Sequence, residues 1–201
     1  MTVILEVPDG EGLYASINAA PQPRAAIRGR IDALGRSLAR AVRDRLAGTD
    51  RVLCVVILRG GALLYPSFAA ELDEADFCMV GLRRVDGGVV SEYRTTIPRD
   101  SYDRVIYLDC VAATGGTILE ARQAVAGACD AGEETAAVIC SATTATRALH
   151  AAGVNIIGFS LDEAETSGIV APDLGELDAG DLFTSTGNPS LDAATDRARP
   201  A

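Results

Sequence analysis

The sequence predicts an α/β protein built around a doubly wound parallel sheet. Short apolar, β-branched runs alternate along its 201 residues with segments in which apolar residues recur at helical spacing. Hydrophobic residues make up 48% of the chain, which is enough to bury one sizeable core. We therefore expect a single domain over residues 1–201. Glycine pairs follow two of the apolar runs, at Gly60-Gly61 and Gly115-Gly116. Since ligands bind such sheets at the carboxyl ends of the strands, we expect the site of this domain at these two loops.

The first half of the chain is predicted to contain three strands and two helices. Residues 3–7 form a short apolar run, and residues 24–47 have apolar residues at helical spacing with an arginine-rich outer face. Residues 51–58 are largely β-branched and apolar, which is typical of a strand buried on both faces of a parallel sheet. After the first glycine pair, residues 63–72 predict a helix and residues 77–82 another strand.

The second half opens with a long polar excursion, which predicts a hairpin or flexible flap over about residues 83–98. The elements predicted next are a strand at 104–109, a helix to about 131, a strand at 136–140, a helix around 144–151 and a strand at 154–159. Residues 167–186 are rich in Gly, Pro and Asp, and they predict an ordered loop that covers a site. Residues 188–201 predict a loosely held tail.

Charge and composition exclude several classes of function. The net charge of −10 argues against a general nucleic-acid binder, which would present a basic face. All 18 positively charged side chains are arginine, so the chain has no lysine for a Walker phosphate loop, a Schiff base or pyridoxal phosphate. Recognition of anions is therefore expected to depend on guanidinium groups, backbone amides or metal ions.

Cysteine and histidine usage points to a reduced compartment and away from zinc or triad chemistry. The five cysteines have no CxxC spacing, which predicts buried thiols rather than disulfides or a zinc site. His150 is the single histidine and is expected to be an ordinary residue near a helix end, so Ser-His-Asp triads are disfavoured. The sequence shows neither a basic leader nor an uninterrupted apolar span, so we expect a cytoplasmic location and no membrane partner.

The segment at 104–117, RVIYLDCVAATGGT, is the strongest functional signal. An apolar strand ends near Asp109, a short glycine loop follows, and a helical pattern begins after it. Glycines allow backbone N–H groups to converge on an anion, and the helix N-terminus adds partial positive charge. The segment therefore predicts a phosphate site, with Asp109 placed to accept hydrogen bonds from sugar hydroxyls.

The glycines allow two other interpretations. An ordinary strand-to-helix turn would use them for backbone conformation alone. A dinucleotide fingerprint has its nearest match at residues 10–15, but Pro21 and Pro23 follow there instead of a long helix.

Four segments, in order across about residues 55–185, resemble uracil phosphoribosyltransferases, a branch of the type I phosphoribosyltransferases. The matching segments are 56–61 (VILRGG) with the family's ILRAG loop, 81–84 with Tyr93 and Ile97-Pro98 in its flap, 109–117 with its DPMLATGGS loop, and 169–183 with its base-binding hood that ends in GLGDAGD. Many other type I members have two adjacent acids where this chain has Asp109-Cys110, whereas the uracil branch has Asp-Pro. The resemblance therefore points to the uracil branch.

The resemblance implies transfer of ribose 5-phosphate from 5-phosphoribosyl-1-pyrophosphate (PRPP) to a ring nitrogen of uracil or a similar base. It implies Mg²⁺ bound mainly through PRPP, with no direct protein ligand, and a homodimer or higher homo-oligomer. Asp109 and Arg59 are the implied catalytic residues. The implied PRPP-binding residues are Arg59, Gly60, Arg83, Arg84, Asp109, Cys110, Ala112, Ala113, Thr114, Gly115, Gly116, Thr117 and Asp181. The implied base-binding residues are Ile169, Val170, Asp178 and Ala179.

Alternatives remain open at several of these positions. Cys110 is either a nucleophile or a small residue in a packed loop, and Arg59 either binds pyrophosphate or forms a surface salt bridge. The hood has Asp173 in place of a glycine and an additional Glu176-Leu177. These differences favour a second hypothesis, in which the acceptor is a modified base of a specialised pathway. A third hypothesis is a non-catalytic regulator that senses nucleotides on the same fold.

Overall fold

The computed structural model of the protein describes residues 1–8, 24–85 and 88–162. These residues build an eight-stranded sheet in the order β1-β7-β6-β5-β2-β3-β4, with β8 paired to β6. The strands are β1 (Thr2–Ile4), β2 (Val52–Leu58), β3 (Asp76–Val85), β4 (Gly88–Arg94), β5 (Ser101–Ala112), β6 (Asp130–Ala142), β7 (Asn155–Gly158) and β8 (Ser160–Asp162). Every pairing is parallel except that of β3 with β4. The predicted α/β fold with a parallel sheet is confirmed.

Four α-helices and one 3₁₀ helix connect the described strands. They are α1 (Arg24–Arg43), the 3₁₀ helix Gly60–Leu63, α2 (Tyr65–Glu71), α3 (Gly116–Ala126) and α4 (Thr143–Ala151). The prediction that α1 continues to residue 47 is wrong by one turn. The backbone after Arg43 changes to tighter bonds, from Arg45 N–H to Val42 O and from Leu46 N–H to Arg43 O, and Asp50 then accepts the N–H of Ala47.

The sheet separates two apolar cores. Successive side chains of β2 point to opposite faces, so Cys54 and Val56 pack on the side of α1 and α2, whereas Leu53, Val55 and Ile57 pack on the side of α3 and α4. All five side chains are buried, as predicted for a central strand of a parallel sheet. None of the described helices is long and apolar enough to cross a membrane.

A buried polar cluster joins β5, β6 and α3 inside the second core. The hydroxyl of Tyr107 donates to Oε1 of Glu134 over 2.7 Å, and Nε of Arg122 donates to Oε2 over the same distance. Tyr107 and Glu134 are both buried, and every buried side-chain N and O atom in the described residues has a partner. Burial, together with the hydrogen bond to the Glu134 carboxylate, raises the pKa of Tyr107 above its usual range.

Strand β5 is longer than the sequence indicates, and this determines where Asp109 lies. Its pairing with β2 ends at Val56 opposite Leu108, but its pairing with β6 continues until Ala112 lies opposite Ser141. Asp109 is therefore inside the strand rather than at its end. At Asp109, β5 is still paired with β6 on one side, whereas its pairing with β2 has already ended on the other.

Candidate active site

The two glycine loops meet at one edge of the sheet. Because β2 and β5 are adjacent and parallel, the chain leaves both at their carboxyl ends on the same side of the molecule. After β2, the chain passes through a cis peptide bond between Leu58 and Arg59 into the 3₁₀ helix. Gly61 lies so close to β5 that a Cβ there would be 2.2 Å from the carbonyl oxygen of Leu108. The loop at 59–61 thus rests directly on β5.

Gly60, Asp109 and Cys110 form the contact between the loops. A Cβ on Gly60 would lie 2.5 Å from Oδ1 of Asp109. The same Oδ1 accepts a hydrogen bond of 2.8 Å from the backbone N–H of Cys110. The thiol of Cys110 lies 3.2 Å from the carbonyl oxygen of Gly60, to which it donates. The Asp109 carboxylate is therefore positioned by its own strand and by the neighbouring loop together.

The second loop turns from β5 into α3 through a left-handed glycine. Gly115 has a φ of 81°, a conformation that side chains rarely adopt, and a Cβ there would lie 3.3 Å from Cγ of Leu149. The Gly116 N–H reaches Oγ1 of Thr114 at 3.4 Å, and the first backbone bond into the helix joins the Leu119 N–H to the Gly115 carbonyl. N–H groups before that bond point out of the helix end, an arrangement that binds anions.

The segment predicted to form a hairpin does so: β3 and β4 pair antiparallel, with residues 86–87 outside the described part. Arg83 forms an ion pair with Glu92 across the two strands. The Ser91 N–H donates to Oε1 of Glu120 over 3.1 Å, so the hairpin lies against α3, the helix that begins at the glycine loop. Its function as a flap stays a prediction.

The structure brings most of the predicted site residues to this edge. The side chains of Arg59 and Thr114 are exposed, whereas those of Cys110 and Ala112 are buried, Cys110 in the first core and Ala112 in the second. Arg84 lies in β3, but its side chain is outside the described part. The predicted residues that fall outside the described ranges are Ile169, Val170, Asp178, Ala179 and Asp181, with the rest of the hood at 167–186 and the tail at 188–201.

Two contacts of the site were not predicted from the sequence. Glu120 binds the hairpin backbone at Ser91, and Leu149 of α4 packs against the left-handed Gly115. Glu120 follows Gly116 by one helical turn, so its position beside the loop could have been read from helical spacing. The contact of Leu149 joins positions that are distant in sequence and leaves no local signal.

A cavity of about 290 Å³ lies at the opposite edge of the sheet. It is bounded by Val42 in α1 and Leu46 after it, and by Arg104, Ile106 and Ile156 in β5 and β7. Arg104 and Ile106 precede Asp109 on β5, so this cavity is separate from the loops.

Comparison with known proteins identifies the family. The model of the uracil phosphoribosyltransferase family matches residues 34–185, a range that includes both loops, the hairpin and all but the last residue of the predicted hood. The chain belongs to this family. It is therefore a PRPP-dependent phosphoribosyltransferase, an enzyme that transfers a pentosyl group.

Solved structures confirm the phosphoribosyltransferase fold. The AQ2163 protein from Aquifex aeolicus is 19% identical with a TM-score of 0.75, and the match covers 92% of this chain and 99% of that one. Adenine phosphoribosyltransferase from Trypanosoma brucei, solved with AMP, pyrophosphate and ribose-5-phosphate, is 20% identical with a TM-score of 0.56, over 98% of this chain and 95% of that one. Adenine phosphoribosyltransferase from Leishmania tarentolae is 19% identical with a TM-score of 0.53, over 83% and 94%. No match was found among curated protein sequences.

Proposed function

We propose that this phosphoribosyltransferase transfers ribose 5-phosphate from PRPP to a ring nitrogen of uracil or a uracil-like nucleobase and releases pyrophosphate. The observation that carries the proposal is the contact of Gly60 with Asp109, which brings the loop at 59–61 (the pyrophosphate loop of the proposal) next to the loop at 109–117. The preference for a uracil-like base rests on the family match and on two sequence features. These are the single acid in Asp109-Cys110 and the Asp-Ala-Gly-Asp sequence at 178–181.

The loop before α3 is proposed to hold the 5-phosphate of PRPP. Its backbone N–H groups at 113–117 lie at the start of the helix, where the helix dipole favours an anion. The hydroxyls of Thr114 and Thr117 add donors at the same place. Since the chain has no lysine, the phosphate would be bound by these neutral donors and the helix dipole, without the cation that a P-loop lysine supplies elsewhere.

Asp109 is proposed to accept hydrogen bonds from the ribose hydroxyls. The Cys110 N–H orients its carboxylate, and Gly60 leaves the space that the carboxylate occupies. The carboxylate is then close to the sugar carbon that gains positive charge as the bond to pyrophosphate breaks. Fixing the sugar and stabilising this charge are the two contributions that we assign to Asp109.

Arg59 is proposed to bind the pyrophosphate group. It is exposed at the edge of the sheet, and its planar guanidinium can donate two parallel hydrogen bonds to phosphate oxygens. No group of three or more His, Cys, Asp and Glu residues within the described ranges could hold a metal ion. From the family match, we propose that Mg²⁺ is bound mainly through PRPP, where it would offset the charge of the departing pyrophosphate.

The hairpin is proposed to cover the sugar and keep water away from it. It already lies against α3 through the bond of Ser91 to Glu120. Movement of its tip over the loops would bring Arg83 or Arg84 to the pyrophosphate. Arg83 would then exchange its partner Glu92 for a phosphate oxygen.

We further propose that the enzyme acts in the cytoplasm as a homodimer or higher homo-oligomer. All five cysteines are buried and form no disulfide, as suits a reducing compartment. Light scattering coupled to gel filtration measures the oligomeric state, and a strictly monomeric protein would remove this part of the proposal.

A panel of bases tests the acceptor. The enzyme is incubated with PRPP, Mg²⁺ and one base at a time, and pyrophosphate release is measured together with the nucleotide product. Turnover with uracil is expected to exceed that with adenine, hypoxanthine and orotate. Turnover with a modified pyrimidine alone would favour the second hypothesis, which the altered hood suggests. Nucleotide binding without turnover on any base would favour the regulator and overturn the proposal.

A further inference from the structure

Cys110 occupies an unusual place for a cysteine at a reaction centre. Its side chain is fully buried, in the same core as Leu108, Leu64 and Phe68, so it faces away from any substrate. Its thiol lies 3.2 Å from the carbonyl oxygen of Gly60 and donates a hydrogen bond to it. The thiol therefore acts on the backbone of the other loop rather than on a ligand.

This hydrogen bond fixes the orientation of one peptide group. The carbonyl of Gly60 and the N–H of Gly61 belong to the same planar unit and point in opposite directions. Gly60 has no side chain to restrict its rotation, and a Cβ there would collide with Asp109. Since the thiol holds the carbonyl towards the core, the Gly61 N–H is directed away from it. The direction of this donor in the pyrophosphate loop thus depends on Cys110.

Cys110 also acts on Asp109 through its backbone. Its N–H donates to Oδ1 of Asp109 over 2.8 Å, while its thiol donates to the Gly60 carbonyl. One residue therefore holds the carboxylate proposed to bind ribose and a peptide group of the loop whose Arg59 is proposed to bind pyrophosphate. The sugar carbon that reacts lies between these two groups of PRPP, so their relative position matters for the reaction.

We propose that Cys110 is a positioning residue, whose thiol sets the pyrophosphate loop for the leaving group of PRPP. The inference rests on the proposed function, in which the 59–61 loop binds pyrophosphate. If Cys110 had only a general structural role, loss of its thiol would weaken the binding of every ligand of the site. If it positions this loop, loss of the thiol weakens the binding of ligands that contain pyrophosphate and leaves the affinity for ribose 5-phosphate unchanged.

The test compares variants that keep or remove the thiol's donor. Cys110→Ala and Cys110→Val both remove it, and having two such variants guards against one that fails to fold. Cys110→Ser keeps a donor at the same place. Cys54→Ala is the matched control, because Cys54 is also fully buried on the same face but lies in the middle of β2. Calorimetric titration with Mg²⁺ present measures the Kd of PRPP, pyrophosphate and ribose 5-phosphate for each folded variant.

The Ala and Val variants are expected to bind PRPP and pyrophosphate about fivefold more weakly, as for one lost hydrogen bond, and ribose 5-phosphate as the parent does. Cys110→Ser and Cys54→Ala are expected to bind all three as the parent does. Unchanged PRPP affinity, equal loss for all three ligands, or a serine variant as weak as alanine would overturn the inference. The proposed function is judged separately by turnover, so an enzyme that binds PRPP without transfer refutes the function alone. A parent protein that binds neither PRPP nor pyrophosphate overturns both.

Discussion

The carboxylate of Asp109 occupies the space where a side chain of residue 60 would begin, since a Cβ on Gly60 would lie 2.5 Å from Oδ1. Two loops that are 49 residues apart in sequence are therefore built around each other. A side chain added at residue 60 would therefore displace the carboxylate. This contact makes the two loops one site and provides the first test.

Replacement of Gly60 by alanine is expected to displace Asp109 and lower kcat/KM by about tenfold or more, since a misplacement of about 1 Å at a reacting centre can cost this much. Steady-state turnover of PRPP and uracil measures the loss. Gly127→Ala is the control, because Gly127 ends α3 at a φ of −83° with nothing within 4 Å of the added Cβ. Equal activity of the two variants would show that the Gly60 contact is unimportant.

Asp109→Asn keeps the shape of the side chain and an acceptor for the Cys110 N–H but removes the negative charge. We expect kcat/KM to fall about a hundredfold, as for loss of an electrostatic group in a reaction centre. Asp103→Asn is the control on the same strand, because Asp103 pairs with Arg51 at the opposite edge of the sheet. Unchanged turnover of Asp109→Asn would remove its assigned role in catalysis.

Arg83 and Glu92 form an ion pair across the hairpin, and each side chain is about half exposed. Breaking an exposed pair costs little stability, so either alanine variant should remain folded. Arg83→Ala is expected to raise the KM for PRPP about fivefold or more, by loss of a charged hydrogen bond, whereas Glu92→Ala leaves it near the parent value. If both variants raise the KM equally, the hairpin needs the pair itself and Arg83 is not a ligand of PRPP.

Tyr107→Phe is expected to lower the free energy of unfolding by about 1–3 kcal/mol, because the buried Glu134 carboxylate loses a donor. Burial and Glu134 raise the pKa of Tyr107 in the folded protein. Stability from this tyrosine is thus complete below its unfolded pKa of about 10 and is lost as pH rises above that value. Urea unfolding between about pH 8 and 11 should show a steeper alkaline loss for the parent than for the variant. Parallel curves would contradict this assignment.

Local patterns in the sequence were sufficient to predict the fold and the glycine loops. The β-branched run of β2 indicates burial on both faces, and the glycines after Asp109 indicate a backbone conformation that other residues avoid. Both properties belong to a few neighbouring residues, so the sequence alone carries them. The departures of the predicted elements from the structure are mainly at their ends.

Contacts between distant segments could not be predicted in the same way. The extension of β5 to Ala112 depends on its pairing with β6, and the hydrogen bond of Cys110 to Gly60 depends on the register of β5 beside β2. Parallel strands are joined by long crossover connections rather than by tight turns, so no local turn signal gives the register between them. The hydrogen bond from Ser91 to Glu120, which joins the hairpin to α3, is another contact of this kind. The hood at 167–186 stays a prediction from sequence.

A crystal structure of the enzyme with PRPP and Mg²⁺ tests the central claim most directly. The 5-phosphate is predicted to lie about 3 Å from backbone nitrogen atoms of residues 113–117, with the pyrophosphate against Arg59 and Gly61 and the ribose hydroxyls on Asp109. PRPP bound in the reverse direction, or at a distance from these two loops, would contradict the account.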